Sequence, residues 1–314
     1  MTDGMRRASM DGERKDMADK TGPTFERLLE RFIAWAEGED NIRAVILIGS
    51  RARTDHPADE WSDLDLILAA RDPRPLVENA DWLRHVGTPW ITFVERTPDG
   101  GFERRVLFEG GLDVDFAPVS AEGLREFSRE SLPPIWADII RRGIRILLDK
   151  DDFSSVFRAI GRVPPPPAHR PSESDFLNQV NDFWYHVPWA AKRLRRGELW
   201  RAHSCCDRYL KTLLRRMIEW HADAARKGAV DTWMRGRFME EWAAPEAMAA
   251  LPDVYARHNE EDVWRALRAT MNLFGGLARE TAARWRLAYP FTAEEKARDL
   301  MEILYMERKA HDPE

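Results

Sequence analysis

The sequence predicts an α+β fold: an N-terminal domain with a mixed sheet of about five strands flanked by helices, followed by a C-terminal helical bundle. Three observations predict it. Short apolar runs rich in β-branched residues, bounded by turn residues, recur between residues 42 and 118. That signal stops before a tetraproline run, Pro164 to Pro167, which is stiff and has no backbone donors. Beyond it, apolar residues recur at helical spacing almost to the end of the chain.

Residues 1–22 mix Arg, Lys, Asp and Gly without periodicity and read as a disordered leader. From Thr24 to Glu37, Phe25, Leu28, Leu29, Phe32, Ile33 and Trp35 follow helical spacing, and Gly38 ends the helix. Ile42 to Ile48 reads as a central strand buried on both faces, broken by Gly49-Ser50. Leu64 to Ala70 is a second strand, Pro75 to His85 a short helix, and Trp90 to Val94 a third strand. Pro98-Asp99-Gly100-Gly101 is a turn signal. Glu103 to Phe108 and Leu112 to Pro118 flank Glu109-Gly110-Gly111 and read as a hairpin. Helices are expected on one side of this sheet. The second half reads as helices over Ser174 to Arg195, Glu198 to Ala225, Pro245 to His258, Glu261 to Leu287 and Ala293 to Arg308. Pro188 is expected to kink the first of these. The expected organisation is a leader (1–22), a sheet domain (23–160), a Pro-rich linker (161–171) and a helical domain (172–314).

The 314 residues are 44% hydrophobic and 32% charged, enough to bury a sizeable core. A net charge of −6 counts against a polynucleotide partner, because phosphate contacts call for a broad basic face. It suits a small cationic one, since carboxylate-lined clefts concentrate cations. The two cysteines, Cys205 and Cys206, are adjacent and form no disulfide framework. His203 and Cys206 lie one helical turn apart, but two ligands make no zinc site, so core packing is expected. No apolar run is long enough to span a bilayer, and a reducing, cytoplasmic setting is expected. A monomer or weak dimer is expected.

The informative stretch is Leu47 to Phe116. A buried strand runs into Gly49-Ser50-Arg51, and Asp63-Leu64-Asp65 opens the next strand. Asp115 lies in a later strand. Gly49 lets backbone approach a phosphate, and Ser50 offers its N–H and hydroxyl. Asp63 and Asp65 stand two apart, so their side chains share one face. Asp115 on a neighbouring strand can face the same point. Three carboxylates there repel one another unless cations neutralise them, and oxygen-only ligands suit Mg²⁺. Such a pair of ions can hold both oxygens of an in-line displacement. The chemistry this pattern supports is nucleotidyl transfer, in which a hydroxyl attacks an α-phosphorus and pyrophosphate leaves. A Gly-Ser dipeptide or a D-x-D alone carries no such message; the ordered combination does.

With these motifs in place, the sequence resembles the DNA polymerase β-type nucleotidyltransferase superfamily. Within it, it looks like the aminoglycoside 6-adenylyltransferase (streptomycin adenylyltransferase) family. The resemblance rests on LIGSRARTDHPADEWSDLDLILA (47–69), RRVLFEGGLDVDFAPV (104–119) and LLDKD (147–151), with RPSESDFLNQVNDFWYHV (170–187) and LLRRMIEWH (213–221) in the helical half. It implies that the sheet domain is a nucleotidyltransferase domain and the helical domain binds the acceptor. It also implies ATP as co-substrate, Mg²⁺, and transfer of AMP to a hydroxyl of a streptomycin-like aminoglycoside.

Carried over by position, Ser50 looks like the phosphate-binding serine, with Gly49 beside it, and Asp63, Asp65 and Asp115 like the metal-binding acids. Arg51 occupies a position that is also Arg in the family and is placed to reach a phosphate. Asp182 falls where the family has an acidic residue, in a helix that packs across the cleft from the sheet in such enzymes. It is expected to take the proton of the attacking hydroxyl or to pair with a substrate guanidinium. Between Lys192 and Arg216 there are nine Lys or Arg against two acids, Glu198 and Asp207. Lys211, among apolar neighbours, is expected to hold the triphosphate tail. Two alternatives stand beside this reading: adenylylation of a protein or another small molecule, and a catalytically silent nucleotide-binding relative. The acid triad argues against the second.

Overall fold

A computed structural model describes residues 24–53, 55–97, 100–128, 130–164, 170–232 and 234–311. The expected leader, the start of the turn at residues 98–99 and most of the tetraproline run lie outside the described residues. The chain divides into two compact units, Met1–Pro165 and Pro166–Glu314.

The first unit is a six-stranded mixed sheet. Its strands are β1 (Ile42–Ile48), β2 (Leu64–Ala70), β3 (Pro89–Arg96), β4 (Phe102–Phe108), β5 (Leu112–Ser120) and β6 (Arg145–Asp149). They lie in the order β3-β4-β5-β2-β1-β6. Only β2 and β5 pair in parallel; the other neighbours are antiparallel. β1 and β2 are buried over most of their length, as their apolar runs, interrupted only by Arg43 and Asp65, require. β6, which sequence reasoning did not mark as a strand, pairs with β1. It lies at the sheet edge and is only five residues long, too short to show alternation.

Helices cover both faces of the sheet rather than the one expected. On one face the helix Phe25–Gly38, capped by Thr24, packs Phe32 against Phe116 at a ring separation of 5.1 Å, with Trp82 edge-on to Phe116 at 4.9 Å. The Pro75 to His85 stretch is two short helices, Arg74–Glu78 and Leu83–Val86, parted by a turn in which the Asn79 carboxamide binds the Asp81 N–H. On the other face Ala121–Arg125, Pro134–Arg142 and Phe153–Ile160 bury Leu124, Trp136, Phe153 and Phe157 over Ala44, Ile46, Ile67 and Ala69. These helices are five, nine and eight residues long, below the span at which periodicity announces a helix.

The LLDKD segment ties this unit together. Asp149 accepts from the Phe153 and Ser154 N–H groups at 2.8 and 2.9 Å, capping the helix Phe153–Ile160. Lys150 donates to the Ala36 and Glu39 carbonyls, both at 2.8 Å, at the end of Phe25–Gly38. Asp151 pairs with Arg43 and Arg125, which hold its carboxyl well below the usual range.

The second unit is helical: Glu173–Arg195, Leu199–Ser204, Leu210–Arg226, Met239–Trp242, Pro245–Val254, Glu260–Trp285 and Phe291–His311. Its core centres on Phe183, Trp184, Trp264 and Phe274, with Phe183 stacked on Phe274 at 3.6 Å. Pro188 lies inside one continuous 23-residue helix. Buried Val187, Ala190, Ala191 and Leu194 hold the chain on both sides of it. The long helix expected from Glu198 to Ala225 passes through a π-helical turn, Cys205–Tyr209. One buried carboxylate knits the unit: Glu294 accepts from Arg279, Arg298 and the Tyr289 hydroxyl, and that hydroxyl accepts from Trp184 Nε1.

Candidate active site

β1 ends in a tight 3₁₀ turn, Gly49–Arg51, lying against the first residues of β2. Gly49 has φ +71°, and a Cβ there would fall 2.0 Å from Asp65 Oδ2. Glycine is therefore demanded twice, by the backbone conformation and by the carboxylate packed on its Cα. Ser50 is 3% exposed, and its Oγ is buried with no hydrogen-bond partner. A buried hydroxyl in that state costs free energy unless a ligand completes it.

Arg51 has a definite task. Its Nε donates to the Asp63 carbonyl at 2.9 Å and Nη2 to the Ser62 carbonyl at 2.8 Å, with the guanidinium 3.9 Å over the Phe25 ring. It pins the entry of β2 to the Gly-Ser turn.

The parallel register sets Asp65 beside Asp115, and the β1–β2 register sets Ile48 beside Asp65. Asp63, Asp65 and Asp115 each offer an oxygen within 4.8 Å of the others. Among the described residues no other cluster of three or more His, Cys, Asp or Glu has metal-binding spacing. Burial, then the charges of Asp63 and Asp115, push Asp65 up to about 7. Ionised together, the three carboxylates are an unfavourable arrangement, and a hard divalent cation resolves it. The donor set is all oxygen and anionic, and it fits Mg²⁺. The cluster has a protein cation nearby that sequence reasoning missed. Arg105 Nε lies 3.0 Å from both Asp115 oxygens, and Nη2 donates to Oδ2 at 2.5 Å.

Two sequence-predicted residues lie in the helical unit. Asp182 accepts from the Tyr209 hydroxyl at 2.8 and 3.0 Å, and His186 Nδ1 stands 2.8 Å from its Oδ1. The π-helical turn ends at Tyr209, on the residue that meets Asp182. Lys211 is put to a different use from the one expected. It is 8% exposed, and its ammonium donates to the Cys206 carbonyl and Thr270 Oγ1, both at 2.9 Å, with Asp207 at 3.7 Å. Burial lowers its pKa. It joins the π-helical turn to the helix Glu260–Trp285 and presents no free ammonium to a triphosphate. Cys205 and Cys206 are buried, as core packing requires, and burial pushes both thiols up to about 12.

A mixed sheet that brings a glycine-serine turn and three converging aspartates to one point defines a nucleotidyltransferase. Within that class the match is specific: the streptomycin adenylyltransferase family model spans residues 24–304, and the chain belongs to that family. The aminoglycoside 6-adenylyltransferase of Bacillus subtilis (strain 168) is 22% identical over 278 residues, covering 84% of this chain and 92% of that protein. The one from Campylobacter jejuni is 24% identical over 274 residues, covering 83% and 88%. A crystal structure of an aminoglycoside 6-adenyltransferase from Bacillus subtilis aligns over 90% of this chain and 99% of that one, at 19% identity and a TM-score of 0.43. Among the described residues no helix is long and apolar enough to cross a membrane.

Proposed function

We propose that this chain transfers AMP from ATP to a hydroxyl of an aminoglycoside, streptomycin being the first candidate, and releases pyrophosphate. The carrying observation is the convergence of Asp63, Asp65 and Asp115 within 4.8 Å beside the Gly49-Ser50 turn. Membership of the streptomycin adenylyltransferase family and the names of the two relatives support the choice of reaction and acceptor.

In this reading Asp63, Asp65 and Asp115 hold Mg²⁺, which supplies positive charge against the triphosphate and the departing pyrophosphate. Ser50 donates its unpartnered hydroxyl to a phosphate oxygen, and Gly49 keeps the turn close to it. Arg51 keeps Asp63 in register with that turn. Asp182 takes the proton of the attacking hydroxyl or pairs with a guanidinium of the acceptor, its carboxylate oriented by Tyr209 and His186. The sheet domain (23–160) then carries the nucleotide chemistry and the helical domain (172–314) the acceptor. A net charge of −6 favours a cationic acceptor over a polynucleotide. A cytoplasmic monomer or weak dimer completes the proposal, with the two free, buried thiols consistent with a reducing compartment.

The test is pyrophosphate release from ATP, Mg²⁺ and streptomycin. Turnover is expected, and Asp63→Asn is expected to abolish it. Turnover on a different aminoglycoside alone would correct the acceptor. No turnover on any aminoglycoside, with AMP appearing on a protein instead, would overturn the proposal.

A further inference from the structure

A single row of paired residues crosses the sheet: Phe93, Arg105, Asp115, Asp65 and Ile48. It sets a guanidinium beside the acid cluster. Arg105 grips Asp115 with both Nε and Nη2, so the carboxylate oxygens that would face a cation are already engaged. The fork matches a carboxylate in a way a lysine does not.

Arg105 is not locked there. Its side chain is 40% exposed, against 12% for Asp115. Two further carboxylates touch the same guanidinium: Glu95 Oε2 is 3.3 Å from Nη1 and Glu103 Oε1 is 3.7 Å from Nε. The register places Glu95 opposite Glu103, so these two carboxylates form a cross-strand pair beside the guanidinium. Like charges placed opposite each other are unfavourable, and a cation between them is welcome. The guanidinium is therefore shared among three carboxylates, and a cation that took Asp115 would leave it held by Glu95 and Glu103.

We propose that Arg105 is a built-in counter-ion that competes with the divalent cation for Asp115 and is retained by Glu95 and Glu103 when that cation binds. This inference rests on the reading of Asp63, Asp65 and Asp115 as cation ligands. Arg105 acts through Asp115 and is a positioning residue. It limits like-charge repulsion in the cation-free cluster, and it sets the affinity with which the cation is taken up.

The test is Mn²⁺ binding to the full chain without nucleotide, read from the free-ion signal in electron paramagnetic resonance. Arg105→Ala is expected to tighten binding by about five-fold or more, the range of a moderate coupling between two ligands of one site. Arg105→Lys keeps the charge but loses the fork, and it is expected to tighten binding as well. Should Arg105→Ala prove unfolded by circular dichroism, Arg105→Lys carries the comparison alone. Glu95→Gln is expected to weaken binding by removing one of the two carboxylates that retain the guanidinium. An unchanged affinity in both Arg105 variants overturns the inference, as does a Lys variant matching wild type while the Ala variant tightens, which would mean through-space charge alone. Wild-type binding abolished by Asp63→Asn but indifferent to Arg105 overturns this inference and leaves the metal site standing. No Mn²⁺ binding by any form overturns both.

Discussion

Asp65→Asn is expected to inactivate the protein while stabilising its metal-free fold. The folded protein raises the Asp65 carboxyl from 3.8 to about 7, through burial first and then the charges of Asp63 and Asp115. At about 1.4 kcal/mol per tenfold change in proton affinity, that corresponds to a ceiling of about 4 kcal/mol. The sign follows from linkage. A folded state that binds the proton more tightly than the unfolded chain is favoured by this group below pH 3.8, and the advantage is lost as the pH rises through about 7. Metal-free wild type should therefore lose stability between about pH 4 and pH 7 and level off by about pH 8. Asparagine keeps the shape and carries no charge, so Asp65→Asn should hold its stability over that range. The expected gain at pH 8 is between about 1 and 4 kcal/mol, the lower end allowing for relaxation of the cluster. The assay is urea unfolding in chelator across that pH range, with and without added Mg²⁺. Added Mg²⁺ should restore the wild type and leave the variant unmoved. Wild-type stability that is flat or rises with pH, or a variant less stable than wild type at pH 8, would refute the electrostatic account.

Gly49→Ala places a Cβ 2.0 Å from Asp65 Oδ2 at a φ of +71°. It should cost about 1–2 kcal/mol in backbone strain alone and abolish pyrophosphate release by displacing Asp65, as thermal melts and the turnover assay would read. Glu294→Ala strands Arg279, Arg298 and Tyr289 around a buried gap. A loss of about 1–3 kcal/mol is expected from urea unfolding, since Arg279 and Arg298 keep partial access to water, with Glu294→Gln falling between it and wild type. Lys211→Met removes a buried ammonium that bridges Cys206 and Thr270. Stability should fall by about 1–3 kcal/mol while the KM for ATP stays within about two-fold, since the side chain is structural.

Much of the sheet domain was legible because its signals are local. β1 and β2 announce themselves as apolar runs interrupted only by Arg43 and Asp65, and their bounds in the structure are those read from the sequence. Gly49 had to be glycine to end one strand against the next, and the D-x-D spacing fixed a shared face for Asp63 and Asp65 in advance. Arg105 escaped notice although its signal was present. The loop at Gly110 pairs Phe108 with Leu112, and the same register carries Arg105 to Asp115. A hairpin centred on a glycine pair predicts its cross-strand partners, and that step was not taken. The three short helices between residues 121 and 160 were missed because their apolar faces are too brief to show a period. A lysine among apolar neighbours, as Lys211 is, reads alike in sequence whether it waits for a phosphate or is satisfied inside the core. Only Thr270, fifty-nine residues away, separates the two. The π-helical turn is likewise invisible to a 3.6-residue pattern, since its extra residue shifts the stripe without erasing it.

Asp65 and Asp115 stand side by side on two hydrogen-bonded parallel strands. The spacing of their Cα atoms is thus a dimension of the peptide backbone itself, the interstrand repeat of about 4.8 Å, and not a product of side-chain packing. A gauge built that way is hard to detune: substitutions in the helices can loosen or reshape their surroundings without moving the two backbone positions apart. The points from which the two carboxylates spring are therefore held by the sheet ladder, whatever happens at its periphery.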